Sequence, residues 1–356
     1  MSRRPPRLGR GAILAAAIVF GLLPFAGWHL PWVLPGTVDV INSVGTLEVL
    51  GLCFVFAVVA LGYDVMFGFT GLLSFGQVLY FAAGAYLLDM AMSDWGWPFV
   101  PSLAFTVAVA ALLAAVLGSV CLRARGIAFA MVTLALAQAG YYLIEDNPHN
   151  LTGGDSGLAL VTTRLPAWLV GVANTRNLYW AALGSLVLVY ALVWLFTESA
   201  MGRVWLAIRE NERRVEVIGL SPFVFKLAAV MLSSIISAVG GMLYLLLVGT
   251  VEPASVASTT VTVSVLVMVV LGGAGRRWGS VLGGMVYVYL QQYLLKVAAE
   301  PSFNSLPAVL RDPLSQPEFL LGALFVVFVL FAPGGIAGLI DRARSRRVVA
   351  LPRVAR

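Results

Sequence analysis

Residues 202–222 read GRVWLAIRENERRVEVIGLSP, and they lie between two long apolar runs. Asp, Glu, Lys and Arg make up only 11% of the chain, yet charge crowds into this stretch. Arg209, Arg213 and Arg214 alternate with Glu210, Glu212 and Glu216 at a spacing that predicts a short helix. Glu210 and Arg214 stand at i,i+4, which is favourable, while Glu212 and Glu216 repeat that spacing with like charge. Gly219 predicts the stop, and Ser221-Pro222 opens the next element. A polar helix held outside a bilayer between two spans has a surface to offer another protein. The plainer alternative is a solvated basic loop that only fixes topology.

Working outward, composition sets the class. The chain is 60% hydrophobic with a mean hydropathy of +0.93, well above a soluble domain. Apolar runs recur, each long enough to cross a hydrocarbon layer of roughly 30 Å. Short alternating segments of the barrel kind are missing, so an all-α integral membrane bundle follows. About ten spans are expected, over 11–28, 49–67, 72–92, 99–121, 127–144, 177–197, 223–248, 260–275, 279–297 and 317–340. Residues 1–10 and 341–356 read as basic tails around one polytopic domain, 11–340. The basic start and apolar first run could pass for a signal peptide, but in a polytopic chain an uncleaved first span is the expected reading. Cys53 and Cys121 fall in apolar runs and read as small core residues rather than a disulfide.

Arginine orients the bundle. Arg3, Arg4, Arg7 and Arg10 precede the first span, Arg123 and Arg125 follow the fourth, and the 202–222 segment follows the sixth. Arg276 and Arg277 follow the eighth span, and Arg342, Arg344, Arg346, Arg347, Arg353 and Arg356 follow the tenth. With a cytoplasmic N-terminus all five clusters share one side, and both termini are cytoplasmic. The opposite loops carry Asp39, Glu48, Asp94, Glu145, Asp146, Asp155, Glu252, Glu300 and Asp312. The net charge of +6 is therefore a topology signal, not a nucleic-acid signal.

Several chemistries are excluded or disfavoured. No GxxxxGK[ST] motif exists, and the two lysines, Lys226 and Lys296, sit in no glycine-rich loop, so the chain carries no phosphate-binding loop of its own. The two histidines, His29 and His149, are placed outside the bilayer. Haem ligation within the membrane and a zinc cluster are excluded, and no cofactor is expected. No catalytic constellation lies at either interface, which argues against a membrane enzyme. Asp64 and Asp89 are the intramembrane carboxylates. Asp89 is near a span end and reads as interfacial, while Asp64 is deeper and is either functional or a helix–helix hydrogen-bonding group. A proton- or sodium-coupled carrier usually needs more acidic groups than this, and an ATP-independent secondary carrier or channel is the alternative reading.

Glycine marks a path. Gly62, Gly68, Gly71, Gly76 and Gly84 punctuate 62–86, with Thr70, Ser74 and Gln77 among them. Broken backbone at membrane depth is tolerated where protein buries it or where it lines a wet cavity. A tightly packed helical hairpin is the competing reading. A second cluster, LGGAGRRWGSVLGG over 271–284, includes Gly279 and Gly283, whose spacing suits close helix packing.

Five strings in this order, GFTGLLSFGQVLYFAAGAY (68–86), RARGIAFAMVTLALAQ (123–138), LTGGDSGL (151–158), 202–244 and VLGGAGRRWGSVLGG (270–284), resemble the LivM-type permease subunit of bacterial ABC importers for branched-chain amino acids. The match runs from about residue 45 to 340. The resemblance implies the ten-span fold of vitamin B12-type importers and a multi-pass place in the bacterial inner membrane. The implied partners are a second, LivH-like permease subunit, cytoplasmic ATP-binding subunits and a periplasmic or extracellular substrate-binding protein. It places a coupling helix at 202–222, with Arg209, Glu210, Glu212, Arg213, Arg214, Glu216 and Gly219 as ATPase-docking candidates. Asp64, Gly68, Thr70, Gly71, Ser74, Gln77, Thr133 and Gln138 become candidates for the translocation path. Urea-type permeases of the same superfamily share related strings, so a urea or short-chain amide substrate stays open.

Overall fold

A computed structural model of the chain describes residues 18–25, 43–169, 174–298, 316–331 and 334–349. The 1–10 tail, most of the first expected span and the 298–316 loop lie outside these residues.

The fold is helical. Helix α1, described over 18–22, passes into a 3-10 turn at Leu23–Phe25. Then come α2 Val44–Asp64, α3 Gln77–Ser93, α4 Phe99–Cys121, α5 Ile127–Glu145 and α6 Thr175–Glu198. Two short helices, α7 Ala200–Glu210 and α8 Glu212–Val217, precede the long α9 Pro222–Val248. The rest is α10 Pro253–Val256, α11 Thr259–Gly272, α12 Arg277–Ala298, α13 Pro317–Phe331 and α14 Gly335–Val349. A two-residue antiparallel pair, β1 Leu158–Ala159 with β2 Thr250–Val251, ties two loops together at one end.

Among the described residues six stretches are long and apolar enough to cross a membrane: Val44–Phe69, Phe99–Cys121, Ile127–Glu145, Thr175–Glu198, Pro222–Val248 and Pro253–Gly272. That is fewer than the ten expected. Helix α3 is shorter than read, with 17 residues, because Leu72–Gly76 is not helical. Helix α12 carries Arg277, Gln291, Gln292 and Lys296, polarity that costs little where protein rather than lipid covers a helix. The last expected span divides. Its helix ends at Phe331, and α14 starts at Gly335 and runs through residues expected in the basic tail. Gly335 has φ +71 and packs against Gly273, an approach that a side chain would block.

Burial ranks the helices. In the apolar window of α2 and its continuation 61% of residues are buried, and in α9 56%, against 22% in α4. Helices α2 and α9 are therefore the core, and α4 is the least buried of the six. Helix α2 packs on α6, α9, α11 and α12, while α3 and α4 pack on α9. Glycine sets the closest of these approaches. A Cβ on Gly84 would strike the Ala238 carbonyl, and one on Gly241 would strike the Phe81 carbonyl, so α3 and α9 touch backbone to backbone. Gly279 and Gly283 do the same for α12 against α11, as their spacing predicted. At the far side, Tyr179 Oη donates to the Phe20 carbonyl at 2.6 Å and docks the first described segment on α6. Both cysteines are buried and free.

The loops sort into two ends. At one end Arg277 meets Glu198 at 3.0 Å, and Arg276 meets Asp341 at 3.0 Å. At the other, the β pair joins 158–159 to 250–251, and Asn147 Oδ1 accepts from the amides of Thr152 and Gly153. Those last contacts explain the LTGGDSGL string as a loop latch. A Cβ on Gly157 would strike the Val251 carbonyl.

Candidate coupling joint and translocation path

The end bearing Arg276 and Arg277 holds the candidate site. The break after α2 begins with a π-helical turn, Val65–Phe69, a form that is rare and concentrates at functional positions. Thr70 Oγ1 caps it by donating to the Val65 carbonyl at 3.0 Å. The chain then runs unwound from Gly71, at φ +79, to Gly76. Satisfying its backbone within a bundle needs side chains, and three provide for it. Tyr63 Oη donates to the Ser74 carbonyl at 2.9 Å, Thr133 Oγ1 accepts from Phe75 N–H at 3.1 Å, and Ser74 Oγ accepts from Gly76 N–H at 3.1 Å. Gln77 opens α3 and donates through Nε2 to the Ser233 carbonyl and hydroxyl at 2.9 Å, and to Ser237.

Ser74, Gln77 and Thr133 line a cavity of about 20 Å³ together with Tyr80, Cys121 and Ser234. That is room for about one water and far too little for an amino acid. Gln138 stands apart, donating to the Thr259 hydroxyl near the opposite end. A wider groove of about 350 Å³ opens between α11, α12 and α13, where the Ser264 and Tyr287 hydroxyls share a hydrogen bond of 2.8 Å.

Asp64 and Gly68 line neither space. Asp64 is 0% exposed, and its Oδ1 accepts from the Gly275 N–H at 2.7 Å. Its Oδ2 has no hydrogen-bond partner among the described residues. Gly68 fills the gap, since a Cβ there would overlap both the Asp64 carboxylate and the Gly275 nitrogen. The two glycine clusters, read separately in the sequence, thus meet in one joint. Distance along the chain hid this, and nothing local announces it.

The 202–222 segment is two helices, not one. Asn211, at φ −162 and ψ 104, separates α7 from α8, and its Oδ1 caps α8 at the Arg214 N–H. Glu210 and Arg214 consequently lie on different helices, and the i,i+4 pairing read from the sequence does not hold. Trp205 is fully buried and donates from Nε1 to the Phe225 carbonyl at 2.8 Å, and Ile208 and Val215 are buried beside it. These apolar residues fold the segment back onto the start of α9. Gly219, at φ +87, closes α8 through its N–H to the Glu216 carbonyl at 2.9 Å.

The seven expected docking residues separate into two groups. Glu210, Arg213, Arg214, Glu216 and Gly219 are exposed. They surround exposed apolar side chains at the tip, where Val217 is 87% exposed and Ile218 71%. Glu212 is occupied within the chain, in an ion pair of 2.6 Å with Lys226. Arg209 is exposed as well, but its Nη1 donates to the Gly68 carbonyl. The exposed Val217, Ile218 and Leu220 were missed in the sequence, because the charged residues of 202–222 set the reading of that segment, and Val224 was read as part of the 223–248 span.

Residues 45–330 match the family model described as branched-chain amino acid transport system / permease component. The chain is 28% identical over 316 residues to the high-affinity branched-chain amino acid transport system permease protein LivM of Escherichia coli K12, covering 83% of this chain and 70% of that protein. A probable branched-chain amino acid transport permease protein LivM of Methanocaldococcus jannaschii is 23% identical over 334 residues, covering 83% of this chain and 94% of the relative. The LivH permease of Escherichia coli K12 is also similar, 23% identical over 305 residues, covering 80% of this chain and 91% of the relative. With the family model spanning most of its length, the chain belongs to the branched-chain amino acid transport system permease components, as a multi-pass membrane protein.

Proposed function

We propose that this chain is one of two permease subunits of an ATP-driven importer, taking branched-chain amino acids from a binding protein and coupling their passage to a separate ATPase. The observation that carries the coupling is the exposed tip of α8. A polar helix pair that shows Val217 and Ile218 to water, ringed by Glu210, Arg213, Arg214 and Glu216, has the make-up of a docking patch. The absence of a phosphate-binding loop from the sequence means that hydrolysis falls to another chain. The substrate follows the names carried by the relatives, and the orientation follows arginine, which puts α7 and α8 in the cytoplasm. The arrangement resembles the ten-span permeases of vitamin B12-type importers, a likeness supported by the alternation of the described helices between two ends. The membrane is the bacterial inner membrane.

Reconstitution with candidate ATPase, second permease and binding protein tests the reading. ATP-dependent uptake of leucine, isoleucine or valine is expected, with little competition from urea or short amides. Uptake driven by a proton or sodium gradient through this chain alone would refute it in favour of a secondary carrier.

A further inference from the structure

Arg209 links the protruding helix pair to the broken span by a hydrogen bond. It leaves the last turn of α7, its stem passes Gly71, and its guanidinium reaches the Gly68 carbonyl at the end of the π-helical turn. Three glycines frame this contact. A Cβ on Gly71 would lie 3.0 Å from Arg209 Cγ, and one on Gly275 would lie 2.9 Å from its Nη1, while Gly68 supplies the acceptor. Gly71 and Gly275 both hold positive φ, +79 and +83, so each is also strained for any other residue. Gly275 in turn is held by Asp64 from the last turn of α2. The unwound segment that follows Gly71 brings the Phe75 N–H to the Thr133 hydroxyl and the Gly76 N–H to Ser74 Oγ, at the wall of the small cavity.

We propose that Arg209 is a positioning residue that transmits movement of α7–α8 to the broken span, and that it does not itself dock the ATPase. The proposal rests on the importer reading above. A docking residue has its polar atoms toward the partner, whereas Arg209 commits its Nη1 to the Gly68 carbonyl. A displacement of α7 pulls directly on the one carbonyl that ends the π-helical turn. The neighbouring backbone can follow, because glycine supplies it on three sides. Two further contacts that fix the segment, Trp205 with Phe225 and Glu212 with Lys226, reach α9 instead.

The test uses the complete importer in proteoliposomes: this permease, its partner permease, the ATPase and the binding protein. Arg209→Met keeps the stem and removes every donor, and Arg209→Lys keeps one point donor. The readouts are ATPase co-purification and the number of substrate molecules taken up per ATP hydrolysed, with whichever of leucine or urea the wild-type assembly transports. Arg209→Met is expected to hold the ATPase at the wild-type level and to lower the uptake-to-hydrolysis ratio by at least about tenfold, the effect of one charge-assisted hydrogen bond. Arg209→Lys is expected to recover part of that ratio. Loss of the ATPase from Arg209→Met would make the residue a dock and overturn the proposal. An unchanged ratio would overturn it as well. So would failure of Arg209→Met to insert where Arg209→Lys inserts, since the contact would then be a folding strut. If the wild-type assembly itself shows no ATP-dependent uptake, the importer reading has failed instead.

Discussion

Gly219 and Gly241 show how differently a glycine can be required. A Cβ on Gly219 meets nothing within 4 Å, so only its φ of +87 demands glycine. Gly219→Val should cost about 1–2 kcal/mol at the end of α8, leave the bundle folded, and reduce substrate-stimulated ATPase activity in the reconstituted importer. Gly241 is helical, but a Cβ there meets the Phe81 carbonyl and the Ala85 nitrogen. Gly241→Ala should force α3 and α9 apart at a cost of about 1–3 kcal/mol. The check is the thermal midpoint of the detergent-solubilised protein, which should fall for Gly241→Ala and fall less for Gly219→Val, whose cost is confined to the end of α8. Equal shifts would contradict the packing described here. Glu212 makes a similar point about charge. Its sequence neighbours advertise a docking face, yet Lys226 occupies it.

At the scale of elements, α7 and α8 divide the work between anchoring and display. Trp205, Ile208 and Val215 anchor the pair, while Arg213, Arg214 and Glu216 face outward. Reversing both arginines, Arg213→Glu with Arg214→Glu, should release the ATPase on co-purification and leave membrane insertion unchanged. Each rim charge at such an interface contributes about 0.5–3 kcal/mol according to how far it is desolvated. Normal retention of the ATPase by this double variant would reduce the segment to a solvated loop. The helical nature of 202–222 and its stop at Gly219 were legible in the sequence, because periodicity and caps are local. The break at Asn211 was not. Asn is tolerated in a helix, and only the competition between its side chain and the Glu210 carbonyl for the Arg214 amide decides the outcome.

For the whole molecule, the two ends should face opposite sides of the membrane. In a background with Cys53 and Cys121 replaced, a cysteine at Asp155 should react with an impermeant maleimide in intact cells, and one at Arg213 only after permeabilisation. Labelling of both from one side would sink the orientation. The sequence by itself determined the class, the helical secondary structure, the polar segment between spans and the lack of a phosphate-binding loop. Those readings depend on composition, local period and motif, which need no tertiary contact. Only the tertiary structure decided that Gly68, Gly275 and Gly335 belong to one joint, that Arg209 reaches Gly68, and that the tenth span divides. Each of these depends on groups meeting across more than fifty residues of chain, as with the Asp64 carboxylate and the Gly275 N–H. A glycine in a sequence records that space is scarce or φ unusual, but not which distant element takes up the space.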